Sequence, residues 1–284
     1  PGDNYIDPQS VARIKDIPNA MLVKEHSNPS NFGVVLLKDG YISSIVEKPT
    51  HAPSFMVSTG IYSLTKDFFS HIKGNDMTNA IAAMIESGEP DQAIPAEDWQ
   101  DAIFPWDLLR MNRRRLSDLT SIRKGTVSRQ TTIQGAVSIG ERTIIGPNTV
   151  ITGPVVIGDD CTIGPNCCIL PNTSIGSRVS IEPFTMMGNI LVMDDTTIGS
   201  HSRIMDAVIG ERCTIADHTS CGKAQGLLEI EGGLIRSEFG AILGDNVTSG
   251  PFTTYKNGIV GNNSKIEGNE SVVSRNIPDG SMVI

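Results

Sequence analysis

Apolar residues recur at every sixth position from Val127 to Met193: Val127, Ile133, Ile139, Ile145, Ile151, Ile157, Ile163, Ile169, Ile175, Ile181, Met187 and Met193. Glycine follows directly at 140, 146, 158, 164, 176 and 188. Four residues after a rung stands a small or apolar side chain, as at Thr131, Val137, Thr143, Thr149, Val155, Cys161 and Cys167. A period of six matches neither the 3.6 of a helix nor the alternation of a half-buried strand. Two inward side chains per hexapeptide, followed by a turn, predict a parallel β-helix. A chance run of isoleucines in a β-sandwich would not hold phase over twelve rungs. With three hexapeptides to a triangular coil, each rung stacks on residues about eighteen positions away. Each buried isoleucine contributes on the order of 1.5–3 kcal/mol, spread evenly along the axis. Rungs resume at Leu243, Val260, Ile266 and Val272, beyond an excursion at 222–239.

The repeat resembles the left-handed hexapeptide type, an exception to the right-handed crossover rule. Proteins of that type are commonly trimers built through the flat faces of the prism, so a homotrimer is expected.

Ahead of the ladder the pattern changes. Asp7-Pro8 caps a short helix to about Lys15, and Ala20 to Val23 reads as a strand. Phe32 to Leu37 and Tyr41 to Val46 form a hairpin around Lys38-Asp39-Gly40. A further strand spans Phe55 to Leu64. Helices are predicted near Lys66 to Ile72 and Thr78 to Glu86, the latter stopped by Gly88 and Pro90. Trp99 to Asp101 precedes Pro105-Trp106-Asp107-Leu108-Leu109, a helix start with proline in the first turn. That helix runs to about Leu116.

Five short motifs in this region occur in a telling order: Gly2-Asp3-Asn4, Phe32-Gly33-Val34-Val35, Glu47-Lys48-Pro49, Thr59-Gly60-Ile61-Tyr62 and Pro105-Trp106-Asp107-Leu108-Leu109. Together they resemble the second half of a sugar-1-phosphate nucleotidylyltransferase fused to a hexapeptide β-helix, as in archaeal bifunctional uridylyltransferase/acetyltransferases. The resemblance covers nearly the whole chain. It implies an α/β part at 1–116, a linker at 117–126 and an all-β left-handed parallel β-helix at 127–284, with a loop at 222–239. The family's first half is doubly wound and carries a Gly-rich, Arg-containing loop for the triphosphate. That half has no counterpart here, so the chain is expected to be a fragment or a shortened product, inactive alone. A nucleoside triphosphate would then bind only with the missing half.

The resemblance also implies roles for residues. Asp3 would hold Mg²⁺, a hard cation that takes one or two carboxylates together with substrate phosphates. Asn79, in Asp76-Met77-Thr78-Asn79, falls where the family often has a second acidic ligand, unless Asp76 substitutes. Glu47 would accept hydrogen bonds from sugar hydroxyls and Lys48 would meet the phosphate as a point charge. Thr59 belongs to the same segment, and Gly33 and Gly60 would let backbone approach the sugar.

A hexapeptide acetyltransferase using acetyl-CoA is the alternative enzyme reading. In relatives that acetylate glucosamine-1-phosphate a histidine is the base; here that position holds Ser200. His201 lies one residue away, His218 is a second candidate, and the expected Ala-Asn-x-Arg loop is missing. A third reading is a non-catalytic assembly or regulatory subunit.

Composition narrows the partners. A net charge of −9 disfavours a nucleic-acid partner, and Arg113 to Arg115 read as a solvated face. The five cysteines form no C-x-x-C pair and fit as small core residues, which points to a reducing, cytoplasmic setting. No apolar run approaches the ~20 residues of a membrane span.

Overall fold

The computed structural model describes residues 3–284 except 75, 90 and 231. Gly2 of the first motif and the helix-stopping Pro90 therefore lie outside the described residues. The chain packs as two compact units, divided between Asp101 and Ala102.

The first unit is built on five strands closed into a small barrel, in the order Ala20–Glu25, Met56–Ser63, Gly33–Lys38, Tyr41–Glu47, Gln92–Pro95. The hairpin turns at Asp39 and Gly40, both at positive φ (53° and 84°), as a tight hairpin requires. Alternation then divides the core. Met21 and Val23 pack with Ile42, Ile45, Ile81 and Met84 on the side of the helix Met77–Glu86. Ala20 and Leu22 pack with Ile14, Val34, Val57 and Trp99 on the side of the helix Pro8–Ile14. Asp7 caps the latter, accepting from the Ser10 amide at 2.8 Å and from the Asp98 amide at 3.1 Å. The Ser10 hydroxyl donates to it as well, and together these bonds outweigh its burial and hold its pKa down at about 2.

The second unit is the solenoid. Nine short strands stack in parallel to form one of its walls, which sets the number of coils. Ile139, Ile145, Ile151, Ile157, Ile163, Ile169, Ile175 and Ile181 are all buried in one continuous core, while the end rungs Val127 and Ile133 are half-buried. The residues four after the rungs close the corners. Thr143 Oγ1 donates to the Gly158 carbonyl at 2.6 Å, and Cys161 Sγ makes the same bond to Gly176 at 3.0 Å one coil later. All five cysteines are free and mostly buried, and Cys161, Cys167 and Cys213 stand in for threonine at the corners. Burial raises their thiols, Cys221 to about 12. The glycine after a rung is required by close approach: a Cβ on Gly158 would lie 2.5 Å from the Gly176 carbonyl oxygen.

The strict sixfold phase ends one rung early. Ile163 pairs with Ile181 across eighteen residues, but Ile181 pairs with Ile198 across seventeen. A seven-residue strand, Met186–Val192, runs through the corner where Asn189 takes φ 47°. Val192, 1% exposed, fills the interior place expected of Met193. The later rungs Leu243, Val260, Ile266 and Val272 are buried as expected.

The excursion is an antiparallel hairpin, Ala224–Ile230 with Gly233–Phe239. Its Leu228 and Phe239 join Leu109 of the helix Asp107–Leu116 over Val208 and Ile242, covering one face of the prism. Trp106 explains the Pro-Trp-Asp-Leu-Leu motif locally: its ring stacks between Phe104 (4.6 Å) and Phe239 (5.1 Å). Asn112 ties the same helix to the coils through Ser174 and the Asn172 carbonyl. By packing, this helix belongs with the solenoid.

The prism corners carry residues in the left-handed region, a conformation that Asn and Asp tolerate best. On one corner Arg142 forks onto Asp160 (2.6 and 2.7 Å), Arg178 onto Asp195 (2.6 and 2.9 Å), and Arg212 reaches Asn246. On another, four rings stack in succession: Phe184, His201, His218 and Phe252, with centroids 4.9, 5.1 and 4.7 Å apart. No helix among the described residues is long and apolar enough to cross a membrane.

Candidate functional site

Strand pairing inside the first unit gathers residues of four of the five motifs around one cavity of about 270 Å³. Gly33 stands opposite Glu47 in the central hairpin, and both line it. The pairing is intimate: a Cβ on Gly33 would come 3.2 Å from Glu47 Oε2. That oxygen accepts a hydrogen bond from Thr78 Oγ1 at 2.8 Å.

The Thr59-Gly60-Ile61-Tyr62 segment forms the opposite wall, and its shape is a bulge. Val23 pairs with Ser58 and Met21 with Tyr62, so three residues face Leu22 alone. Gly60 absorbs the extra length at φ 76°, a region open to glycine at no steric cost. Thr59, 1% exposed, spends its hydroxyl on the Leu22 carbonyl at 2.9 Å. Ser58 Oγ accepts from the Gly60 amide at 3.1 Å and lies 3.0 Å from the Tyr62 hydroxyl. Burial raises the Tyr62 pKa, and the charge of Glu47 adds to the effect.

The floor comes from two short strands. Asn4–Ile6 pairs antiparallel with Trp99–Asp101, which sets Asn4 opposite Asp101. Asp3, Asn4, Trp99 and Asp101 all line the cavity. Trp99 packs edge-on against Phe32 at 5.3 Å. Its Nε1, and Oδ1 of Asn4, are buried with no hydrogen-bond partner.

Of the residues singled out in the sequence, Asp3, Gly33, Glu47, Thr59 and Gly60 are brought together. Lys48 is not among the residues lining the cavity: it follows Glu47, is exposed, holds φ 40°, and gives its amide to the Phe32 carbonyl at 3.0 Å. Asn79 is elsewhere. Asp76 caps the helix Met77–Glu86, accepting from the Thr78 amide at 2.8 Å, and Asn79 Nδ2 donates to the same carboxylate at 2.8 Å. Asp76 and Asn79 line a separate hollow with His71 and Lys73. Besides Glu47, Asp101 also shares the cavity with Asp3; the sequence reading did not single it out, nor Thr78 or Tyr62's contact with Ser58. His201 and His218 lie in the second unit, exposed within the ring stack.

The donor set suits a hard divalent cation in one manner only. Among the described residues no group of three or more His, Cys, Asp or Glu side chains could hold a metal ion by itself. Asp3 and Asp101 offer carboxylate oxygens on one cavity, the number Mg²⁺ takes when substrate phosphates complete its shell.

Comparison with known proteins agrees with this geometry. The sequence model of the nucleotidyl transferase family matches residues 6–116, and that of the GMPPB C-terminal domain matches residues 151–277. The bifunctional protein GlmU of Methanocaldococcus jannaschii is 33% identical over 281 residues, covering 93% of this chain and 69% of that protein. The low-salt glycan biosynthesis nucleotidyltransferase Agl11 of Haloferax volcanii is 33% identical over 229 residues, covering 75% of this chain and 64% of that protein. The glucose-1-phosphate thymidylyltransferase of Streptomyces antibioticus is 32% identical over 160 residues, covering 49% of this chain and 44% of that protein.

Proposed function

The chain belongs to the nucleotidyl transferase family, and we propose that its cavity binds the sugar-1-phosphate in a transfer that yields a nucleoside-diphosphate sugar and pyrophosphate. The observation that carries the reading is the meeting of Gly33, Glu47 and Gly60 with Asp3 on one cavity, although the four lie far apart in sequence. In the reaction a phosphate oxygen of the sugar-1-phosphate attacks the α-phosphorus of a nucleoside triphosphate. The new P–O bond forms as the bond to the β-phosphate oxygen breaks, and pyrophosphate leaves with that electron pair. Such transfer depends chiefly on alignment and charge neutralisation.

Each residue then has a task. Glu47 accepts from sugar hydroxyls, which fixes the ring by charge-assisted hydrogen bonds. Gly33 and Gly60 keep that wall bare of side chains so the sugar reaches the backbone. Lys48, next to Glu47 in sequence, offsets phosphate charge. Asp3 and Asp101 would hold Mg²⁺, which when bound supplies positive charge to the phosphates. In the solenoid we propose the contact surface of a homotrimer: one face is covered by the hairpin and the helix Asp107–Leu116, while Ile144, Phe184, Met186 and Phe252 are exposed on other parts of the prism.

The cavity reading is tested by saturation-transfer NMR of the chain with glucose-1-phosphate and N-acetylglucosamine-1-phosphate in Mg²⁺. Transfer to sugar protons is expected from the native chain and not from Glu47→Ala. Equal transfer from both would refute the placement of the sugar.

A further inference from the structure

We propose that Thr78 is a positioning residue for sugar recognition, acting through Glu47; the inference rests on the cavity reading above. Thr78 is 8% exposed, and its hydroxyl donates to Glu47 Oε2 at 2.8 Å. A hydroxyl has one hydrogen to give, and here it goes to a carboxylate at the exposed end of the strand Tyr41–Glu47. Among the described residues, Glu47 Oε1 accepts no such bond, so it is the oxygen left for a sugar hydroxyl. A carboxylate held at one oxygen keeps the other in place without losing side-chain entropy on binding.

The hydroxyl is itself held. Thr78 sits in the first turn of the helix Met77–Glu86, its amide bonded to the capping carboxylate of Asp76. Three residues of the same helix, Ala80, Ile81 and Met84, pack against Val35, Ile42 and Ile45 of the hairpin that carries Glu47. The same oxygen is approached by Gly33, where any Cβ would lie 3.2 Å from Oε2. Glu47 is therefore clamped between the bare backbone of its partner strand and a threonine on a helix packed against its own strand. Thr78 also lines the cavity, but its one hydroxyl hydrogen is already given to Glu47, so its effect on the sugar belongs to the orientation of that carboxylate.

The test is a binding series on the full chain with glucose-1-phosphate and, as a control lacking hydroxyls, inorganic phosphate. Thr78→Val keeps the shape and removes the hydroxyl; Thr78→Ser keeps the hydroxyl. Thr78→Val should weaken glucose-1-phosphate roughly tenfold, as expected for a lost hydrogen bond to a charged group, and leave inorganic phosphate unchanged. Thr78→Ser should restore native binding. In a Glu47→Ala background, Thr78→Val should add no further loss, since the two act as one unit. Equal weakening of both ligands, additive losses in the double variant, or native affinity in Thr78→Val would each overturn the proposal. If the native chain bound phosphate but gained nothing from the sugar, the cavity reading would fail and the inference with it. Melting curves of each variant separate a folding defect from the binding effect, and Thr78→Ser keeps the test decisive should Thr78→Val unfold.

Discussion

The Thr59 hydroxyl donates to the carbonyl of Leu22 at 2.9 Å, across the one point where the strand Met56–Ser63 carries three residues against a single partner. The hydroxyl so ties the bulged strand to its neighbour by a side-chain bond. Thr59→Val should cost about 0.5–1.5 kcal/mol, the net worth of one hydrogen bond. Gly60→Ala should destabilise as well, because φ 76° costs a residue with a Cβ about 1–2 kcal/mol. Urea denaturation of the two variants checks both. Native midpoints would show that the bulge is not under the constraint described.

Substituting a mid-solenoid rung should be far more damaging than substituting an outward neighbour. Ile157 is 1% exposed and stacks between Ile139 and Ile175 in parallel register. Ile157→Val should cost about 0.5–1.5 kcal/mol, whereas Ile157→Asp buries an unpaired charge and should unfold the surrounding coils. Thermal melting followed by circular dichroism reads both. An unchanged transition in Ile157→Asp would place the residue outside the core.

How much of this could be read from the chain depends on range. The rungs were legible because a period of six leaves every inward position in the sequence itself. The slip from Met193 to Val192 was not, since a corner one residue shorter shows only as a lost beat. The 222–239 excursion gave no repeat to follow, and its hairpin is fixed by burial of Leu228 and Phe239 rather than by local pattern. Of the residues lining the candidate cavity, Asp3, Gly33, Glu47 and Gly60 stand in motifs legible in the sequence. Asp101 and Thr78 were not legible, because their places depend on which strand lies beside Asn4 and which helix lies beside Glu47. Asn79 misled for the same reason: its spacing is suggestive, but Asp76 claims its amide as part of a helix cap.

Asp91 should make the first unit lose stability as pH rises. It is fully buried, neither carboxylate oxygen has a hydrogen-bond partner, and burial lifts its pKa from 3.8 to about 7. Below pH 3.8 the folded and unfolded chains both hold the proton and the group is neutral to stability. Between there and about pH 7 the unfolded chain releases the proton while the folded chain keeps it, so stability falls and then levels off. Asp91→Asn should remove this slope, giving a higher melting temperature than the native chain above pH 7 and nearly the same one near pH 4. Parallel melting curves for the two proteins across that range would contradict the assignment.

Sedimentation equilibrium should report three times the 30.5 kDa chain mass. Phe184→Lys with Phe252→Lys, which place charges on the exposed ring stack, tests whether that corner contributes. A clean monomer of the native chain at micromolar concentration would rule the trimer out.

The most direct test of the account is a crystal of the chain soaked with glucose-1-phosphate and Mg²⁺. Difference density should place the sugar against Gly33 and Gly60 with a hydroxyl on Glu47 Oε1, and the phosphate toward Lys48 and Asp3. Sugar density elsewhere, with this cavity empty at saturating ligand, would contradict it.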